Sequence, residues 1–96
     1  MFDKDRYKTC GISNDIPQIV QEFLWKLIED LTVEKDYLQV FEIETADEMS
    51  IQVTHSQEEP EYQSKCFVNC SPPCPPCKIF VIDDGPHSTM LLAEEY

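Results

Sequence analysis

Cysteines in the C-terminal third are the residues with the clearest capacity for chemistry. Four lie within twelve residues, separated by three, three and two others: Cys66, Cys70, Cys74 and Cys77. Four thiolates can close a tetrahedral zinc site. Only the last pair has the two-residue spacing common in such sites, and Pro75 and Pro76 between them lack a backbone N–H to bond to a thiolate sulfur. Two interpretations stay open, a zinc site or a proline-rich loop with free thiols.

The Cys74–Cys77 pair also has the spacing of a dithiol redox motif. That motif normally lies at a helix N-terminus, where the dipole lowers the thiol pKa. Here residues 78–82 have the apolar character of a buried strand, which argues against redox catalysis. The five cysteines are an odd number, and the first ten residues lack the pattern of a secretory signal. We therefore expect reduced thiols and a cytoplasmic protein, in a bacterial or host cytosol.

The other reactive residues predict no active site. Asp83-Asp84-Gly85 supplies too few oxygen ligands for a calcium loop and is typical of a turn. His55 and His87 have no nucleophile or carboxylate partner visible in the sequence, and both are expected at the surface. Phosphate-binding and nucleophile-elbow motifs are missing from the sequence. We therefore expect a non-enzymatic protein.

Charge is the remaining functional signal. The chain has 19 acidic and 7 basic residues, a net charge of −12. Residues 1–35 contribute −2 and residues 36–96 contribute −10. This excess argues against direct binding to nucleic acid or to anionic membranes. It favours a protein partner with a basic surface, such as a nucleic-acid-binding protein, unless the charge serves solubility alone. The candidate partner-binding carboxylates surround the predicted strand ends: Glu42, Glu44, Asp47, Glu48, Glu58, Glu59 and Glu61.

One amphipathic helix is the strongest structural prediction. Asp15 is expected to cap it, after a turn at residues 11–14, and Pro17 fits its first turn. The apolar residues then recur at helical spacing until the helix ends near residues 32–35: Ile16, Ile19, Val20, Phe23, Leu24, Leu27, Ile28 and Leu31. Trp25 lies off this stripe, either at the flank of the core or as an aromatic anchor for the partner.

The remaining segments predict strands. Alternation and β-branched or aromatic residues mark them at residues 6–9, 37–44, 49–56, 62–68 and 78–82. Residues 88–95 fit a strand or a helix, and a strand is preferred because the segment follows a tight turn. The resulting order, β-α-β-β-β-β-β, predicts an α+β fold, with one long amphipathic helix packed on a mostly antiparallel sheet of five or six strands. We expect a single domain over residues 1–96, with a Cys/Pro-rich loop at 69–77.

Several segments together resemble a known family. They include Asp36–Glu42, Lys78–Gly85 and Ser88–Tyr96, with shorter matches at Arg6-Tyr7, Asp15-Ile16-Pro17, Phe23-Leu24-Trp25 and His55-Ser56-Gln57. The chain resembles small uncharacterised acidic proteins from low-GC Gram-positive bacteria, their phages and mobile elements. The likeness spans nearly the whole chain and departs at residues 66–77. It implies a single cytosolic domain and a phage or mobile-element setting, and it supplies no catalytic residues.

Charge and resemblance together define three functional hypotheses. The first is an acidic protein-binding domain, in its narrowest form an inhibitor that imitates nucleic acid, as DNA-mimicking anti-CRISPR proteins do. The second is a small zinc-binding domain built on the four cysteines. The third is a housekeeping accessory protein whose charge serves solubility.

Overall fold

Six strands and two α-helices form the fold in the computed structural model, which describes residue 2, residues 4–71 and residues 73–96. In chain order the elements are β1 Asp5–Lys8, α1 Cys10–Asp15, α2 Gln18–Glu29, β2 Leu38–Asp47, β3 Ser50–Gln57, β4 Tyr62–Asn69, β5 Cys77–Asp83 and β6 His87–Leu92. A 3₁₀ turn, Ala93–Glu95, follows β6. The α+β class is confirmed, and the sheet has six strands.

All six strands belong to one sheet, in the order β1-β6-β5-β2-β3-β4. β1 pairs with β6 in parallel, and the other neighbours pair antiparallel. The predicted mostly antiparallel sheet is therefore confirmed. The last predicted strand stops at Leu92, where the chain turns into the 3₁₀ segment.

The prediction of one long helix is wrong, because the region forms two separate helices and α2 ends at Glu29, short of the predicted end near residues 32–35. Ile16 has extended angles, φ −111° and ψ 120°, as expected for a residue whose helical conformation would clash with the following proline ring. The predicted turn at residues 11–14 is instead part of α1, whose N-cap is Thr9. The predicted cap, Asp15, is the last residue of α1, and Pro17 takes the N-cap position of α2. α2 has 12 residues and no side-chain cap at Pro17.

The core lies between the helices and one face of the sheet. α2 contributes Val20, Leu24 and Ile28, all fully buried. The sheet contributes a matching set from its central strands, also buried: Phe41, Ile43, Ile51, Val53, Ile79 and Val81. Because side chains alternate along a strand, the residues between these point to the opposite face.

The C-terminal turn is tied to the start of α1 through Glu95. Its carboxylate accepts hydrogen bonds from Thr9 Oγ1 at 2.5 Å, Leu92 N at 2.9 Å and Gly11 N at 3.2 Å. These bonds, the one from Thr9 first, lower the pKa of Glu95. A Cβ at Gly11 would lie 2.7 Å from Glu95 Oε1. Glycine is therefore required at this position for the carboxylate to approach the backbone.

We expect Gly11→Ala to lower the thermal midpoint of unfolding by a few degrees. The added methyl group displaces the Glu95 carboxylate from its three donors. In a Glu95→Ala background, the same change should be neutral or slightly stabilising, because alanine favours a helix more than glycine does. Thermal unfolding of the two single variants and the double variant measures this coupling. Equal effects of Gly11→Ala in both backgrounds would contradict it.

Candidate functional site

The face of the sheet opposite α2 carries an unusual stripe of apolar side chains. We call this surface the open face. Its apolar stripe crosses β2, β5 and β6: Leu38, Val40, Phe80, Ile82 and Leu91. The register places Val40 beside Phe80 and Phe80 beside Leu91. Leu91 is only 8% exposed although it lies outside the main core cluster. The ring of Tyr96 stands edge-on to Phe80, with centroids 5.6 Å apart.

A groove of about 260 Å³ crosses β2 next to this stripe. Tyr37, Leu38 and Val40 form its apolar part. Its charged lining comes from three carboxylates and one ammonium group: Asp36, Glu42, Glu58 and Lys78. A second depression, of about 420 Å³, lies on the other side of Glu58 and includes Glu61. The groove thus combines an apolar floor with a mainly acidic border.

Buried amides fix the wall of the groove formed by the β3–β4 turn. Gln57 Nε2 donates to the carbonyls of Glu34 at 2.8 Å and Pro60 at 2.9 Å. Gln57 Oε1 accepts from Gln39 Nε2 at 2.7 Å and from the backbone N–H of Asp36 at 3.1 Å. The segment before β2 and the β3–β4 turn are therefore joined through two side chains that are almost completely buried.

His55 belongs to the same buried network, and the prediction that it lies at the surface is wrong. It is 1% exposed and stacks on Phe41, with ring centroids 4.4 Å apart. Its Nε2 lies 2.6 Å from Gln39 Oε1. Burial lowers its pKa to about 4, so the ring is neutral near pH 7. Side chains alternate along β3, so His55 points to the same side as Val53, two residues before it. That side faces the core and not the groove.

The predicted carboxylates are distributed over three places. Glu42 and Glu44 project from the open face, and Glu42 Oε1 is 3.8 Å from Lys78 Nζ. The next group lies in the β3–β4 turn beside the groove: Glu58, Glu59 and Glu61. Asp47 and Glu48 lie at the opposite end of β3, whose eight residues span roughly 26 Å. The structure therefore brings Glu42 and Glu58 into one groove and leaves Asp47 and Glu48 remote from it.

Trp25 lies on α2, on the other side of the sheet. It is partly buried and packs against the core. The Arg6 guanidinium sits 4.5 Å from its ring centroid and also pairs with Glu29 at 2.8 Å. Trp25 thus occupies the flank of the core and shares no surface with the groove.

The register separates the first and last of the four cysteines proposed as zinc ligands. Cys66 pairs with Val53, Val53 with Ile43, and Ile43 with Cys77. Three strand spacings place the backbones of Cys66 and Cys77 roughly 14 Å apart, too far for both sulfurs to bond one zinc ion at about 2.3 Å. Among the described residues, no group of three or more His, Cys, Asp or Glu side chains is placed to hold a metal ion.

Sequence reasoning identified the carboxylates of the groove but missed its apolar floor. The sequence does contain a sign of this floor, because residues 37–44 have apolar side chains at both odd and even positions and therefore on both faces of the strand. Phe41 and Ile43 face the core, whereas Leu38 and Val40 face outward. A strand that is apolar on both faces indicates a second surface to be covered.

Comparisons with known proteins give a family and a fold. A family model described as "Staphylococcal protein of unknown function (DUF960)" matches residues 5–95. A solved structure, described as the crystal structure of the protein of unknown function from Enterococcus faecalis, shares 27% identity and a TM-score of 0.83. That match covers 98% of this chain and 92% of the other. A search of curated proteins found no significant match. Within the described residues, none of the helices has the length and apolar character needed to cross a membrane.

Proposed function

This chain belongs to the family of staphylococcal proteins of unknown function (DUF960), and we propose that it is a non-enzymatic protein-binding domain that acts through the groove on its open face. Membership confirms the resemblance to uncharacterised proteins of low-GC Gram-positive bacteria. The family description names no activity, so the proposal depends on the surface itself. The observation that carries it is the combination of an apolar floor, Leu38 and Val40, with the carboxylates of Glu42 and Glu58.

The chemistry of the groove defines the partner. Half-buried Leu38, Val40 and Phe80 leave apolar area that a partner can remove from water. Glu42 and Glu58 border that area, and the chain as a whole has a net charge of −12. The complementary partner presents an apolar segment flanked by Lys or Arg. Apolar contact supplies most of the affinity, and the long-range field speeds association.

The lining of the groove offers little basis for catalysis. Ser56 contributes the serine hydroxyl of the lining, and the neighbouring His55 projects from the opposite face of the strand. His87 is the first residue of β6, and its Nε2 lies 3.4 Å from the carboxylate of Asp84 in the preceding turn. Since a serine nucleophile needs a base within hydrogen-bond reach, the arrangement supports binding rather than acyl transfer.

We expect Glu58→Lys to weaken partner binding roughly ten-fold, the effect of about 1.4 kcal/mol. The matched control is Glu48→Lys, which makes the same charge change in an exposed turn at the far end of β3 and should alter affinity less than roughly two-fold. Immobilised wild-type protein first captures the partner from cell extract at low salt. The purified partner is then titrated against each variant at several salt concentrations.

The same titration separates the narrower hypothesis from the broader one. An inhibitor that imitates nucleic acid along its whole surface should lose similar affinity with Glu58→Lys and Glu48→Lys. Binding that is unchanged by Glu58→Lys and by Glu42→Lys would overturn the assignment of the groove. The identity of the captured protein distinguishes an inhibitory role from a housekeeping one.

A further inference from the structure

The two edges of the sheet are protected to different degrees. β1 forms one edge with four residues, and two of its side chains reach across to α2: Arg6 pairs with Glu29, and Lys8 donates to Gln21. β4 forms the other edge with eight residues, of which Lys65 alone is charged. Its pairing with β3 continues through all eight, each of them described in the structure, without a register shift. Because proteins usually shorten, charge, bulge or cover their edge strands, β4 has the character of a strand that pairs with another.

The hydrogen bonds of β4 show which residues direct their backbone outward. The N–H of Cys70 donates to the carbonyl of Met49 at 2.8 Å, one position beyond the Ser50–Asn69 pair. Along an antiparallel pair, residues alternate between bonding to the neighbouring strand and directing their N–H and C=O away from it. Counted back from Cys70, the even-numbered residues of β4 bond to β3 and the odd-numbered ones point to the edge. We call these odd-numbered residues the outward row: Gln63, Lys65, Phe67 and Asn69.

The charge of β4 indicates what can approach it. The side chains of the outward row are all exposed, and Phe67 is 67% exposed. β4 contains no acidic residue, although 19 of the 96 residues of the chain are acidic. A second copy of this chain, with its own net charge of −12, is therefore repelled least at this strand. A basic partner, by contrast, finds no carboxylate on β4 to pair with, so the charge favours the β4 strand of a second copy.

Lys65 selects the register of such a pairing. Two antiparallel registers join the outward rows of two copies over most of β4, one centred on Lys65 and one on Cys66. The first places the two Lys65 side chains directly opposite each other, which is destabilising. The second places Lys65 of one copy beside Phe67 of the other, and Gln63 beside Asn69. The single lysine thus opposes one register and is compatible with the other.

We propose that two copies of this chain pair antiparallel through β4, with a two-fold axis at Cys66, and so join their sheets into one. The two outward rows then form about eight inter-strand hydrogen bonds, close to the roughly ten of an ordinary protein interface. The open faces of both copies lie on the same side of the joined sheet. The groove crosses β2, away from the paired edge, so pairing and partner binding are separate properties.

Sedimentation velocity of the reduced full chain over a concentration series measures this pairing, in moderate salt that screens the repulsion between the two copies. We expect a dimer whose dissociation constant rises at least roughly ten-fold with Phe67→Lys, because this change puts a lysine beside Lys65 at two symmetric positions. The matched control is Ile19→Lys, the same charge change at an apolar residue of α2 that is 61% exposed. It should alter the dissociation constant less than roughly two-fold. Both variants change the net charge equally, so net charge does not explain a difference between them.

Two further changes test the register. Adding Lys65→Glu to Phe67→Lys puts opposite charges beside each other at both symmetric positions and should recover most of the lost affinity. The two Cys66 residues should lie opposite each other with Cα atoms about 4.5 Å apart, within the range for a disulfide. In a Cys10→Ser background, which removes an exposed cysteine, diamide should therefore link two chains, and Cys66→Ser should abolish the link. Failure of both results would overturn this register.

Amide hydrogen exchange of the wild-type chain gives a measurement that does not depend on the folding of any variant. The backbone amides of the outward row should exchange at least roughly ten-fold more slowly at concentrations where the dimer predominates than in dilute solution. The amides of β1, at the other edge, should exchange at the same rate in both. A chain that stays monomeric at every concentration, or a dimer that forms without protection of the outward row, would overturn the proposal.

Discussion

Replacing Leu24 by alanine is expected to lower the free energy of unfolding by about 3–5 kcal/mol, the loss typical of truncating a fully buried leucine. Leu24 is 0% exposed at the centre of α2 and packs in the cluster that joins this helix to the sheet. Alanine removes its apolar contacts and leaves a cavity that a helix fixed at both ends can only partly close. Because domains of this size have about 5–15 kcal/mol of stability in total, the variant should be close to unfolding at 37 °C.

The matched control is Ile19→Ala on the same helix. Ile19 is 61% exposed, so its truncation should change stability by less than about 0.5 kcal/mol. Urea denaturation followed by circular dichroism gives both values, and comparable slopes with urea concentration ensure a fair comparison. Equal losses at the two positions would show that Ile19 is buried in solution, for instance by self-association.

These two residues also show how far the sequence predicts α2. Helical spacing places both Leu24 and Ile19 on one apolar stripe, and it correctly places a helix over this segment. The stripe is broad, however, and the position of the sheet decides which part of it is buried. Spacing also does not locate the first residue of α2, because Ile16, which lies on the predicted stripe, is extended before the proline ring. The residues predicted as a turn before it form α1 instead.

The groove was less predictable than the strands that form it. Strand positions follow from local alternation, and all six predicted strands are present in the sheet. The groove requires the order of strands, which places Lys78 of β5 beside Glu42 of β2 and Glu58 near both. Such pairings join residues far apart in sequence and depend on register. The same reason separates Cys66 from Cys77, although they are only eleven positions apart in the sequence.

The buried histidine is a further consequence of register that the sequence does not reveal. His55 lies on the same face of β3 as Ile51 and Val53. Its ring stacks on Phe41 and meets the ring of Tyr62 edge-on. Gln39 Nε2 donates to Gln57 and to the carbonyl of Asp36. Gln39 Oε1 therefore faces His55, which donates from Nε2 as a neutral ring. Burial disfavours a second proton on the ring and lowers the pKa of His55 to about 4.

We expect this histidine to cause a loss of stability in mild acid. Its pKa falls from an ordinary 6.5 to about 4 on folding. Above pH 6.5 the ring is neutral in both states and contributes nothing to the pH dependence. Between pH 6.5 and 4 the unfolded chain binds a proton that the folded chain does not. The free energy of unfolding therefore decreases as the pH is lowered through this range. At 1.36 kcal/mol per pH unit, the loss should reach about 3 kcal/mol near pH 4.

Urea denaturation at a series of pH values from 7.5 to about 4 measures this loss, since the pKa of 4 sets the lower limit. The carboxylates held by hydrogen bonds, Asp47, Asp83 and Glu95, add their own loss only near and below their ordinary pKa values of 3.8, 3.8 and 4.5. The window between pH 6.5 and 5 therefore reports on the histidine.

His55→Gln should be less stable at pH 7.5 and should flatten the curve in that window. His87→Gln, a change at the half-exposed histidine, should keep the slope. A wild-type stability curve that is already flat between pH 6.5 and 5 would contradict this prediction, because it would show that His55 is protonated in the folded protein. The buried network around Gln39 and Gln57 would then need a different hydrogen-bond arrangement.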